Sequence, residues 1–393
     1  MKLKKILMSA LTTAILISSF SACNQSPAET QASETTTLAP AAVSPAPETV
    51  IGGEIRDIPS IELIEEITVG WNLGNTFDSV AKGITAETAW GNPKTTKEML
   101  DNVKSMGFNI IRIPVTWEGH LDENDNIDAE WLDRVQEVVN YAIDEETFVI
   151  INLHHEKWNY PFYDNQEAAT AKMKKLWGQI AERFKDYDEH LIFEGQNEPR
   201  KVGTNLEWSG GDDEGWDVVN ATNAAFVETV RASGGNNAKR HLMIPGYCAT
   251  SDLSGPDKIV LPENDDKIIV SVHAYLPYTF ALSDTPSSKF SSERANATRD
   301  IGALAENLKT KYIDKGIAVI IGETGARNKD NLESRVDWAG YYTSAMRKAG
   351  VSCIWWDNGS FFGSGENFGL LNRKDNTWLF PEVAEAFVNG AQR

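Results

Sequence analysis

Two carboxylates in this chain close apolar runs. Glu198 follows Leu191-Ile192-Phe193-Glu194-Gly195-Gln196-Asn197, and Glu323 follows Val319-Ile320-Ile321-Gly322. Cleavage of a glycosidic bond needs two such groups face to face: one protonates the leaving oxygen, the other attacks the anomeric carbon or activates water. A separation of about 5–5.5 Å gives retention of configuration and a wider one inversion. The first group must hold a proton near neutral pH and the second must not. Other apolar runs also end in polar or aromatic groups: Asn72 and Asn75, Arg112, His154, His155 and Glu156, Asn197, His273 and Tyr275, Trp356 and Asp357. Any one of these can be a salt bridge or a solvated loop residue; packing alone does not account for all of them together.

A sugar ring has an apolar face that stacks on flat indoles. The chain has 12 Trp, of which Trp71, Trp117, Trp158, Trp208, Trp355 and Trp356 stand at loop positions and are candidate platforms. Trp131 and Trp177 lie on helical stripes and read as core. A groove lined by several platforms binds a chain of sugars.

Other chemistries have weaker support. His154-His155-Glu156 is a poor chelate, because neighbouring residues on a strand point to opposite faces, so no metal is expected. Asp122 to Asp128 has the composition of a calcium loop but lacks the central Gly and the final bidentate Glu, so Asp128 reads as a helix cap. Cys248 and Cys353 read as buried thiols. No Gly-rich phosphate loop is present, and no cofactor is expected.

The elements that must position these groups alternate. Eight apolar runs read as strands: Ile67–Leu73, Phe108–Val115, Phe148–His154, Leu191–Gly195, Leu242–Tyr247, Ile268–Tyr275, Ala318–Gly322 and Cys353–Asp357. Helical stripes lie between most of them, such as Trp131, Leu132, Val135, Val138, Val139 and Ala142, or Met173, Leu176, Trp177, Ile180 and Phe184. Thr95 with Glu98 fits a capping box. Gly107, Gly316 and Gly350 fit helix ends just before strands. Residues 248–267 carry little helical pattern. The order predicts an α/β fold, a (β/α)8 TIM barrel, whose chemistry sits at the C-terminal strand ends.

The 393 residues carry 37 Lys+Arg against 57 Asp+Glu, a formal charge of −20. Such an acid excess disfavours a nucleic-acid partner and leaves neutral polysaccharides open. Lys2, Lys4 and Lys5 precede an apolar run from Ile6 to about Ser19, too short for a membrane span. Phe20-Ser21-Ala22-Cys23 resembles a bacterial lipobox with Cys23 lipidated, although Leu is usual where Phe20 stands. Residues 24–50 hold four Pro, six Ala and five Thr with no aromatic, Lys or Arg. Such a stretch reads as a disordered tether. The expected division is a lipoprotein-type signal at 1–23, a linker at 24–54 and a catalytic barrel at 55–393. Export follows, either to the membrane through a lipid on Cys23 or into the medium.

Asn197-Glu198-Pro199, His273-Ala274-Tyr275 and Glu323, each after an apolar strand, resemble glycoside hydrolase family 5. Gly70-Trp71-Asn72-Leu73-Gly74-Asn75-Thr76, Trp90-Gly91-Asn92-Pro93, Ile111 to Trp117 and Asn152-Leu153-His154-His155 resemble its endo-β-1,4-glucanase and xyloglucanase branch. The resemblance runs from about Ile64 to about Phe387. It implies a retaining enzyme without a metal, acting on β-1,4-glucans; the chain is expected to work as a monomer. Glu198 would be the acid/base and Glu323 the nucleophile. Asn197 would bind the sugar 2-hydroxyl, and Arg112 and Tyr275 would hold Glu323 ionised. His154, His155 and His273 would contact the sugar or the acid/base, and Trp356 would be the floor. Xyloglucan, mixed-linkage glucan, xylan and mannan are alternative substrates. A glycan-binding lipoprotein without hydrolysis is the alternative of another class, disfavoured because both carboxylates are present.

Overall fold

The computed structural model describes residues 51–253 and 258–392. The expected signal, Cys23 and the linker up to residue 50 lie outside the described residues. Residues 51–54, also assigned to the linker by composition, lie against the barrel: Gly52 bridges Tyr187, and Asn236 Nδ2 donates to Gly53 O. Among the described residues, no helix is long and apolar enough to cross a membrane.

Eight parallel strands close in sequence order: β1 Val69–Leu73, β2 Ile110–Ile113, β3 Phe148–Asn152, β4 Leu191–Glu194, β5 Leu242–Pro245, β6 Ile268–His273, β7 Ala318–Thr324 and β8 Ser352–Asp357. All eight expected strands form. Five of them, β2 to β6, end sooner than their apolar runs, although Val115, Leu153 and Ala274 beyond the strand ends stay buried. A short helix α1 (Ser60–Glu66) precedes β1. Its Leu63 and Ile64 join Ile110, Ile150, Ile192 and Ile320 in the barrel interior. The outer helices are α2 Lys97–Ser105, α3 Ala129–Ala142, α4 Tyr163–Arg183, α5 Asp213–Ala232, a single turn α6 Tyr278–Ala281, then α7 Ala295–Lys311, α8 Leu332–Lys348 and α9 Pro381–Ala391. No α-helix joins β5 to β6 among the described residues, in keeping with the weak pattern there.

Side chains two residues apart share a strand face. The apolar layer of Ile110, Ile192 and Ile269 is therefore followed, one step up the barrel, by Arg112, Glu194 and Ser271. Strand β7 breaks this rule usefully. Ser271 pairs with Ile320 and Val272 with Ile321, but His273 pairs with Glu323, so Gly322 is an extra residue. The bulge re-aims Glu323 beside His273. A Cβ on Gly322 would sit 3.2 Å from His273 Nε2 and 3.3 Å from Met243 Cε.

The two caps read from sequence come out differently. Asp128 caps α3, accepting from Glu130 N at 2.8 Å and Trp131 N at 3.2 Å. The cap of α2 is Thr96, not Thr95: Thr96 Oγ1 accepts from Met99 N at 3.3 Å. Thr95 is held by its backbone instead, donating N–H to Glu87 at 2.7 Å and accepting from Arg134 through its carbonyl at 2.7 Å.

Candidate active site

A cleft of about 820 Å³ crosses the C-terminal mouth of the barrel, walled by Asn197, Glu198, His273, Tyr275, Glu323 and Trp356 among others. Arg112 lies under its floor and is fully buried. It holds Glu323, as the resemblance implies, and reaches the cleft only through other side chains. Its Nη1 donates to Glu323 Oε1 at 2.8 Å and to Asn72 Oδ1 at 2.9 Å, its Nη2 to Asn197 Oδ1 at 2.7 Å and its Nε to Glu194 Oε2 at 2.7 Å. Burial works against this guanidinium charge, but Glu194 and Glu323 outweigh it. Glu194 is the residue that sequence reasoning passed over. It is fully buried and also accepts from Ser271 Oγ at 2.8 Å and Asn152 Nδ2 at 2.9 Å. Its signal was a carboxylate at an inward position of an apolar strand.

Above this layer stand the two catalytic candidates. Tyr275 OH donates to Glu323 Oε2 at 3.1 Å. His273 Nδ1 is 2.8 Å from Glu198 Oε1 and 3.7 Å from Glu323 Oε2. Glu198, His273 and Glu323 each offer an atom within 4.8 Å of the others. Burial pushes both carboxyls up. At Glu198 the His273 bond and the charges of His273 and Arg200 overcome burial and leave it low. At Glu323 burial and the Glu198 charge outweigh His273 and Arg112 and leave it raised. His273 is raised, because Glu323 and Glu198 outweigh its burial. With the cleft open, Glu198 is held low and Glu323 raised, the reverse of the order that an acid and a nucleophile need. The three groups titrate as one cluster, so the order changes with what fills the cleft.

His154 and His155 both line the cleft. Burial lowers both, His155 to about 4, so both rings are neutral at pH 7. The strand-alternation reasoning about this pair fails, since β3 ends at Asn152 and both histidines converge with Asp78 within 4.8 Å. The donor set still disfavours a metal. Asn152 accepts from Val115 N through Oδ1 and donates through Nδ2 to Glu194, so it also donates to His154 Nδ1 at 3.2 Å. That fixes the proton of His154 on Nε2 and leaves no free lone pair.

The aromatic platforms need correction. Trp71, Trp117 and Trp355 are fully buried and donate Nε1–H to Asp357 Oδ2, Asn152 O and Phe368 O. They face the helix layer and cannot stack a sugar. Trp131 and Trp177 are core, as read. Trp356 lines the cleft, parallel to His154 at 5.8 Å. Trp158 is partly buried, its Nε1 donating to Glu156 Oε2 at 2.6 Å. Trp208 is 61% exposed on the cleft wall; Trp90, not counted as a platform from sequence, is 42% exposed there. Glu156 and Asp357 are structural: Glu156 accepts from Trp117 N, and Asp357 from Leu370 N and Leu371 N. Cys248 and Cys353 are buried thiols, pushed up by burial.

Residues 74–362 match the family model described as Cellulase (glycosyl hydrolase family 5). The chain is 48% identical over 335 residues to Endoglucanase 1 of Ruminococcus albus, covering 84% of this chain and 81% of that protein. It is 46% identical over 343 residues to Cellulase/esterase CelE of Acetivibrio thermocellus, covering 86% of this chain but only 41% of that longer protein. Its fold is similar to a GH5-4 broad specificity endoglucanase from Ruminococcus champanellensis solved with cellotriose (TM-score 0.81, 44% identity, 86% of this chain and 100% of that one).

Proposed function

This chain belongs to the cellulase family, glycosyl hydrolase family 5, and its barrel is an endo-β-1,4-glucanase domain; on that premise we propose that it cleaves internal bonds of β-1,4-glucans with retention, Glu198 serving as acid/base and Glu323 as nucleophile. The observation that carries this reading is the spacing of the two carboxyls, with an oxygen from each within 4.8 Å. Inversion needs a wider gap, about 6.5–9.5 Å, to seat a water.

In the first step a Glu323 oxygen bonds to the anomeric carbon while the Glu198 proton passes to the departing oxygen. In the second, Glu198 removes a proton from water, the water oxygen attacks the same carbon, and Glu323 leaves. Step one requires a proton on Glu198, and His273 Nδ1, 2.8 Å from its Oε1, is the neighbouring group placed to supply it. Arg112 and Tyr275 then hold the charge left on Glu323. The Asn197 Oδ1 is taken by Arg112, so its Nδ2 is the donor turned toward the sugar 2-hydroxyl. His154 donates from Nε2, His155 lines the wall, and Trp356 is the floor.

The test is reducing-sugar release from carboxymethylcellulose, barley β-glucan, xyloglucan, xylan and glucomannan, with Glu323→Ala alongside. A loss on the order of 10⁴ in the variant is expected, and proton NMR of early product should show the β-anomer. An early α-anomer would overturn retention.

The same reading takes the enzyme to act outside the cell as a monomer, tethered by a lipid on Cys23. The charged and apolar leader before Cys23 supports this. Membrane partitioning unchanged by Cys23→Ser would remove the anchor.

A further inference from the structure

Arg200 follows the acid/base candidate by two residues and touches it twice. Its Nη1 donates to Glu198 O at 3.0 Å and stands 3.6 Å from Glu198 Oε2. The same guanidinium lies over the Trp208 ring, 4.1 Å from its centroid, and its Nε reaches Glu207 Oε1 at 3.3 Å. Glu207 in turn accepts from Gly203 N at 2.9 Å, closing the loop around the arginine. One indole face of Trp208 is therefore occupied by a cation, while the side chain as a whole stays 61% exposed in the cleft.

We propose that Arg200 is a positioning residue for the general acid, tying the Glu198 carboxyl to the Trp208 platform so that a sugar stacked on Trp208 is held in register with the group that protonates the leaving oxygen. The inference rests on the role given to Glu198 above. A planar, permanently charged fork suits both tasks: it stacks on an indole and it fixes a carboxylate. Glu198 is faced by other titratable groups as well. These are His273 from β6, Glu323 from β7, His155 after β3, Cys248 after β5, Tyr275 after β6 and Glu366 after β8.

The experiment compares kcat/KM against pH for wild type, Arg200→Ala, Arg200→Lys and Trp208→Ala. One substrate is cellotetraose. The other is 2,4-dinitrophenyl β-cellobioside, whose leaving group departs without protonation. Arg200→Ala should lose about 10–100-fold on cellotetraose and about 3-fold or less on the aryl glycoside, since only the first needs the acid. Its alkaline limb should move to higher pH, because a cation that favours ionised Glu198 is gone. Arg200→Lys should recover most of the rate. Trp208→Ala should also lose more on cellotetraose than on the aryl glycoside. Equal losses on both substrates with a stationary limb would make Arg200 merely structural and overturn the proposal, as would wild-type rates in Arg200→Ala. If Arg200→Ala does not fold, Arg200→Gln decides: a limb moved to higher pH with a larger loss on cellotetraose than on the aryl glycoside supports the proposal, and a stationary limb with equal losses, or wild-type rates, overturns it. Hydrolysis persisting in Glu323→Ala would instead sink the role assignment itself, whatever Arg200 does.

Discussion

At the scale of single residues, the site is a problem of placing charge. Glu323 sits 2.8 Å from Arg112 and 3.1 Å from Tyr275, two donors that favour its ionised form, yet burial and Glu198 leave it raised. Activity should therefore fall as pH drops from neutral, earlier than an ordinary carboxylate would require. Tyr275→Phe removes one donor to the charged form, so its acid limb should move to higher pH, with kcat/KM about tenfold lower near neutrality. A pH–rate profile on carboxymethylcellulose checks this; a limb that stays in place would mean the hydroxyl does not stabilise the carboxylate.

At the scale of elements, small local features decide where chemistry points. The extra residue at Gly322 turns Glu323 into the mouth, and its missing side chain leaves room for His273. Gly322→Ala should keep the fold, push His273 by a few tenths of an ångström and lower kcat about tenfold, because small misplacements at a reacting centre are costly. Stopped assays beside circular dichroism would separate that from unfolding. The start of α2 makes a second test. Thr96→Ala should cost about 1 kcal/mol in urea unfolding through loss of the cap. Thr95→Val should cost much less, since the Thr95 hydroxyl has no hydrogen-bond partner among the described residues. A larger loss at Thr95 would restore the cap position read from sequence.

At the scale of the whole molecule, an acid-rich chain folds with carboxyl groups sealed under its loops. Burial raises Asp78 to about 6 and Glu156 to about 7. Glu156 joins the turn after β2 to the one after β3 through Trp117 N and Trp158 Nε1. Its folded form keeps a proton that the unfolded chain gives up near 4.5. That contribution to stability is complete below this value and is lost as pH rises to about 7. Glu156→Gln should flatten the decline in urea midpoint between about pH 4.5 and 7; an unchanged slope would mean Glu156 is already ionised in the folded protein.

The strands were legible because a barrel strand buried on both faces must be a continuous apolar run, and its catalytic end must not be. That alone located Asn197, Glu198, His273, Tyr275, Glu323 and Trp356 at one mouth. Helix stripes and the Asp128 cap followed from local periodicity and from one side chain reaching its own backbone. What needed the tertiary structure was direction. Trp71 and Trp356 both belong to apolar runs at the mouth, yet one faces the helices and the other the cleft, and strand alternation decides which. Only the family resemblance tied Arg112 to Glu323, because its partners Glu194 and Glu323 lie 82 and 211 residues away in the chain and no local pattern links them. Alternation along β7 would even have aimed Gly322 rather than Glu323 inward. A bulge is set by the register of both neighbouring strands, and no single run of residues carries that register.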